Sequence, residues 1–582
     1  MLKTALRWFA LPLLFMFGLP LLLAGITHWR LARIPASSIL HVQLDGSIPE
    51  APPPPLSLLW SKKGDLSLRG LTATMRRAAH DDAIVGMVLD VRSPQIGLAQ
   101  LHELRDAVAA FRASGKWNLA FIETAGEFDS GDIAYALATS AQQVMLVPTG
   151  EVSLTGLRSE VPFVRDTLER LHISPYTEQR YEFKNYVNTF TERSFTPQHR
   201  EALKAVVDDL QDSLLGHLVA SRGIDMMTAR RWVEASPYGA EEALQAHLVD
   251  RLGYWDEVEA EAAKVAGRAQ PWVSAGRYST ALANRGGGSG PSIALITAAG
   301  DIQRGERGTS PWETSGAIGS ETFADAFRRA REDKVAGVLF RISSPGGSYL
   351  ASDIIRREVQ LTRESGIPVV VSMGDVAASG GYFVAIEADH VVAEASTITG
   401  SIGVLAASFP LRQPLQHFFG VNFETYAALP HPGVLSWLDA PNAADRERFG
   451  AAIDRIYHDF VAKVAVGRKQ PYDAIHQLAK GRIWSGRQAL EHGLVDALGG
   501  YEVALAYLRQ RLQLSADAPL QLVSYPSVDG TLAILRQVLG AQLHGSVSTP
   551  PLPQAVERLW RSLQAPNSAA SLRLPEHGLP LP

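Results

Sequence analysis

Short apolar runs alternate along this chain with stretches whose apolar residues recur at helical spacing. In the second half Val335–Ile342 is rich in β-branched residues and reads as a strand, and Leu350–Arg363 carries the apolar spacing of a helix. Ile367–Met373 reads as a second strand, Ser379–Ala388 as the start of another helix, and Val391–Ala393 as a return to extended structure. Strand, helix, strand, helix at this spacing predicts parallel strands joined by helical crossovers, an α/β fold.

The first half repeats the pattern. Gly86-Met-Val-Leu-Asp-Val-Arg-Ser-Pro94 matches Gly337-Val-Leu-Phe-Arg-Ile-Ser-Ser-Pro345, and Ser153-Leu-Thr-Gly156 echoes Thr397-Ile-Thr-Gly400. Later, Leu248-Val249-Asp250 answers Leu494-Val495-Asp496. Matches in the same order predict a tandem duplication of one α/β unit. Two breakers divide the chain: the prolines Pro52–Pro55 and the run Arg285-Gly-Gly-Gly-Ser-Gly-Pro291. The expected organisation is an anchor at 1–34, a first repeat at 35–284, a linker at 285–291, a second repeat at 292–540 and a peripheral tail at 541–582.

Composition narrows the chemistry. With 582 residues, 46% hydrophobic and 20% charged, the chain can bury more than one core. A net charge of -5 and the absence of a basic run argue against nucleic acid as a partner. With 0 cysteines, disulfides, thiolate metal sites and cysteine nucleophiles are excluded. Trp8–Ile26 carries no charge and is flanked by Lys3, Arg7, Arg30 and Arg33, which predicts an uncleaved transmembrane helix with the remainder outside the cytoplasm.

The densest candidate chemistry is Gly374-Asp-Val-Ala-Ala-Ser379-Gly-Gly-Tyr382. A serine after an apolar strand and before two glycines and a helix sits near free backbone N–H groups, where developing negative charge is stabilised. The same pattern fits a simple helix cap. Ser343-Ser-Pro-Gly-Gly347 ends a strand of the same half and can aim consecutive N–H groups into a crevice, although it also fits a plain turn. The first half has Pro94-Gln95-Ile96 in place of Pro345-Gly346-Gly347, and aligning Tyr135 with Tyr382 sets Asp132 opposite Ser379. Only the second half holds the full set.

A serine hydroxyl needs a base. His390 is the nearest downstream histidine, on a polar step before a strand. Lys184, the only lysine between Lys116 and Lys204, stands in the aromatic stretch Tyr181-Glu-Phe-Lys-Asn-Tyr-Val-Asn-Thr-Phe190, where burial would lower its pKa. A lysine stem packed on rings with its charge at the surface fits the same residues.

These motifs, with Thr399-Gly-Ser-Ile-Gly403 and Gly493-Leu-Val-Asp496, resemble the signal peptide peptidase SppA family in its long, tandem-repeat bacterial form. The resemblance runs from the anchor to about Arg509. It implies a Clp-protease or crotonase-like unit in each half, a serine-lysine dyad of Ser379 and Lys184, Ser401 holding the lysine, and an oxyanion hole from the N–H groups of Gly347 and Gly380. It further implies digestion of cleaved signal peptides and other short apolar peptides at the periplasmic face of a bacterial inner membrane, single-pass anchoring, a homotetramer, and no cofactor or metal. The segment departs from the family's usual Ser, Ala, Glu and Pro at Asn185, Tyr186, Asn188 and Thr189. A noncatalytic membrane scaffold and a crotonase-like acyl-CoA enzyme are the competing readings.

Overall fold

The computed structural model describes residues 33–51, 66–284, 290–306, 317–426 and 436–526. Residues 285–289 of the expected linker at 285–291, the proline run 52–55 and the tail 541–582 lie outside the described residues.

Two largely parallel sheets form the frame. The first orders its strands Arg251–Leu252, Val144–Leu146, Trp117–Ile122, Ile84–Gln95, Ser38–Ser47 and Trp272–Ser274, all parallel. The second runs Ile483–Ser485, Ile398–Gly400, Val369–Ala378, Gly337–Ser344, Ser292–Ala299 and Gln521–Tyr525, with His390–Ala393 and Ala497–Leu498 branching from Val369–Ala378. Near-continuous apolar runs such as Ile84–Leu89 and Val369–Val371 are what strands buried on both faces require, and both are almost wholly buried.

The two sheets share packing. Helix Tyr501–Arg511 contributes Tyr501, Leu505 and Leu508 to one apolar core with Leu339, Val370 and Val392 of the second sheet and with Leu68, Leu101 and Val108 from the first half. The other face of the second sheet closes over helix Tyr349–Glu364 and the long helix Ala443–Arg468.

Details repeat across the halves. Tyr135 Oη donates to the Leu248 carbonyl at 2.6 Å and Tyr382 Oη to that of Leu494 at 2.9 Å. Asp250 accepts from the Val144 N–H at 2.7 Å and pairs with Arg222; Asp496 accepts from the Val391 N–H at 2.8 Å and pairs with Arg468.

The expected elements shift in two places. The strand read as Ile367–Met373 runs through to Ala378, because its far end pairs with Ile398–Gly400, a partner no local window reveals. The helix after Ser379 is a single turn, Gly380–Phe383.

The membrane anchor is corrected. Among the described residues no helix is long and apolar enough to cross a membrane. Pro197–Arg222 and Ala443–Arg468 are long enough, at 26 residues each, but are charged along their length. Trp8–Ile26 itself lies outside the described residues. The transmembrane architecture, the inner-membrane placement and the signal-peptide clearance built on it are therefore set aside, as is the homotetramer, for which the chain offers no support.

Candidate active site

Ser379 follows the end of strand Val369–Ala378 without an intervening residue and caps the turn Gly380–Phe383. Its backbone takes φ 55° and ψ -118°, a conformation that costs a non-glycine residue free energy and persists only where the surroundings enforce it. The Ser379 N–H donates to the Gly400 carbonyl at 2.9 Å, and the Phe383 N–H to that of Ser379. Two threonine hydroxyls fasten the strand from the side: Thr397 to the Gly374 carbonyl at 2.8 Å and Thr399 to that of Ala377 at 2.7 Å. The hydroxyl of Ser379 is left free of such duties and half-buried in the cleft.

Lys184 reaches this serine from the first half of the same chain. Strand Tyr176–Arg180 pairs antiparallel with Val404–Ser408, Arg180 opposite Val404, so the segment after Arg180 is laid across the second half. The N–H groups of Tyr181 and Phe183 donate to the Lys480 carbonyl. Gly481, at φ 86°, lets the lysine pass: a side chain there would come within 2.5 Å of the Lys184 backbone. Ion pairs Arg180–Asp454 at 2.5 Å and Arg482–Glu201 at 2.6 Å tie the same segments together.

The Lys184 amine lies 3.2 Å from Ser379 Oγ and 2.9 Å from both the carbonyl and the hydroxyl oxygen of Ser401. Lys184 is 7% exposed, and burial alone lowers its pKa from the ordinary lysine value to about 7. A neutral amine has two N–H donors and one lone pair. Directed at the two Ser401 oxygens, the donors leave the lone pair for the Ser379 hydroxyl. Ser401 is itself held at φ 50° by its N–H on the Arg482 carbonyl at 2.7 Å.

Gly347 and Gly380 stand beside the serine. Gly346 and Gly347 have φ 110° and 149°, and the Ile302 N–H donates to the Gly346 carbonyl at 2.8 Å. Added side-chain carbon at Gly380 would lie 3.2 Å from Gly347 N, which shows how close the two backbones run. Among the described residues neither the Gly347 nor the Gly380 N–H is taken by a hydrogen bond, and both flank the nucleophile. Gly347 is exposed and Gly380 is buried.

The residues anticipated for the site, Ser379, Lys184, Ser401, Gly347 and Gly380, thus fall at one place. His390 does not: its ring stacks on Tyr507 at 4.0 Å and lies near Asp496. Of the departures in the lysine segment, Tyr186 is exposed, while Asn188 is buried and bonds to Asn185 Oδ1 at 3.3 Å. Gly481 went unnoticed in the sequence, since an isolated glycine on a loop carries no signal until its neighbour across the fold is known. Among the described residues no cluster of histidine and carboxylate side chains is arranged to hold a metal ion.

Known proteins resemble this chain over much of its length. The model of Peptidase family S49 matches residues 125–268 and 362–515, one segment in each half. "Protease 4" of Salmonella typhi is 32% identical over 452 residues, 76% of this chain and 71% of that protein. "Serine protease SPPA, chloroplastic" of Arabidopsis thaliana is 29% identical over 522 residues, 88% of this chain and 75% of that protein. Among solved structures, a membrane-bound stomatin-specific protease, 1510-N, aligns at 12% identity with a TM-score of 0.26, covering 41% of this chain and 98% of that one.

Proposed function

The chain belongs to Peptidase family S49, and on that footing we propose that it hydrolyses peptide bonds with Ser379 as nucleophile and Lys184 as general base. The observation that carries the reading is the buried Lys184 amine, with no carboxylate beside it among the described residues to hold it charged, 3.2 Å from Ser379 Oγ.

In this mechanism the Ser379 hydroxyl donates its proton to the neutral amine as Oγ attacks the scissile carbonyl carbon. The carbonyl oxygen becomes an oxyanion and accepts from the N–H groups of Gly347 and Gly380, a reading supported by both being free of hydrogen bonds among the described residues. Lys184 returns the proton to the leaving nitrogen, the C–N bond breaks, and an acyl ester remains on Ser379. Water, giving up a proton to the same amine, then cleaves the ester and restores the hydroxyl. Ser401 orients the amine throughout. No step calls for a cofactor.

Turnover of a short apolar peptide by the full chain, compared with Ser379→Ala and Lys184→Met, tests this. Loss in both variants, with the fold retained, is expected; undiminished turnover in Lys184→Met would move the base elsewhere.

A further inference from the structure

Strands Gly337–Ser344 and Val369–Ala378 fall out of step just before the nucleophile. Ile342 faces Met373 and Ser344 faces Ala377, so two steps on one strand are matched by four on the other. The extra residues form a bulge at Gly374-Asp375-Val376, and such bulges re-aim whatever follows them. Here Ser379 follows.

Two polar groups grip this bulge, and both bind it to the first half. Asp375 Oδ1 accepts from the N–H groups of Ala99 at 2.9 Å and Gln100 at 3.3 Å, which are otherwise uncapped at the start of helix Leu98–Ala113. The residue at that helix's own cap position is Gly97, where a side chain would collide with the Asp375 carboxylate. Arg341, wholly buried, donates to Ser372 Oγ at 2.9 Å and to the Met373 carbonyl at 3.2 Å, at the bulge's leading edge. Its remaining donors meet Glu50 at 2.9 and 3.1 Å and Glu103 at 2.7 Å, both carboxylates of the first half.

We propose that Asp375 and Arg341 are positioning residues that register the nucleophile strand against the first half, the same body that delivers Lys184. The base is laid on the second half by Val404–Ser408 and the Lys480 carbonyl, and Asp375 and Arg341 tie the serine's strand back to the first half, so two sets of contacts between the same halves set their separation. This rests on the dyad reading given above.

The test uses the full chain and turnover of the same apolar peptide, with kcat, KM and thermal unfolding measured together. Asp375→Ala is expected to lower kcat by about 10- to 100-fold, the size of effect that ångström-scale misplacement produces, with KM within about threefold. Asp375→Asn keeps an oxygen that accepts from Ala99 and is expected to stay within about threefold of the unaltered kcat. Gly97→Asp combined with Asp375→Ala supplies the helix with its own cap while leaving the tie between halves cut. Stability is expected to return in that pair and kcat to stay low. Unaltered kcat in folded Asp375→Ala, equal losses in Asp375→Asn and Asp375→Ala, or recovery of kcat in the double variant would each overturn the proposal. Ser379→Ala in the same assay separates the two levels: if it turns over normally the dyad itself falls, and if it is inert while folded Asp375→Ala keeps the unaltered kcat, only the positioning role falls.

Discussion

Three residues before Tyr135 stands Asp132, and three before Tyr382 stands Ser379; the two tyrosines make the same hydrogen bond in their respective halves. Asp132 is buried and accepts from Ser130 Oγ at 2.6 Å, the Thr155 N–H at 3.0 Å and hydroxyl at 3.1 Å, and the Gly156 N–H at 3.3 Å. Its carboxylate closes the first frame on itself, using the local donors a reactive group would need. Ser379 carries no such load, and beside it the Gly347 and Gly380 N–H groups are unspent. One frame has been sealed for stability and its counterpart left open at a cost in backbone strain.

The sharpest way to break this comparison is to exchange the two positions. Ser379→Ala is expected to lower turnover by at least about 10⁴-fold, and adding Asp132→Ser should restore none of it, since among the described residues the partners of Asp132 are Ser130, Thr155 and Gly156 and no lysine. Peptide turnover by the double variant measures this; recovered activity would mean that the halves are interchangeable. Next in size, Gly347→Ala puts a side chain against the Ile302 backbone at φ 149°. The expected loss in kcat is about 10²- to 10³-fold, as for removal of one oxyanion donor, with Ser379 still intact.

The open frame also predicts a pH profile. In the proposed dyad Lys184 serves as base only when neutral, and burial lowers its pKa to about 7. Below that pH the amine is protonated, so kcat/KM should fall about tenfold per unit of pH, and above it the rate should level off. A rate that is flat from pH 5 to 9 would contradict a lysine base. The smallest effect belongs to the sealed frame: Asp132→Ala should cost about 1–2 kcal/mol of stability by denaturant unfolding and leave turnover per folded molecule within about twofold.

Much of the frame could be read from the sequence because it rests on local apolar runs. Val335–Ile342 and Leu350–Arg363 each landed within a few residues of Gly337–Ser344 and Tyr349–Glu364. The Gly374-Asp375 step reads as a turn because glycine and aspartate end strands locally, yet pairing with Ile398–Gly400 carries the strand on. The placement of Lys184 was harder to reach from the residues alone. Its strand, Tyr-Thr-Glu-Gln-Arg, lacks an apolar pattern and forms through pairing with Val404–Ser408, and the fit depends on a glycine nearly three hundred positions away at 481. The membrane expectation failed for a different reason. It rested on Trp8–Ile26, which lies outside the described residues, and no described helix is long and apolar enough to cross a membrane.

The pairing of Tyr176–Arg180 with Val404–Ser408, completed by Gly481 and Arg482, also sets a timetable. A ribosome makes the lysine early, the serine 195 residues later, and the clasp that joins them later still. On the dyad proposed above, a nascent chain would hold both side chains before the segment that brings them together exists. The two side chains meet only once that closing segment has been made and has folded back on Tyr176–Arg180.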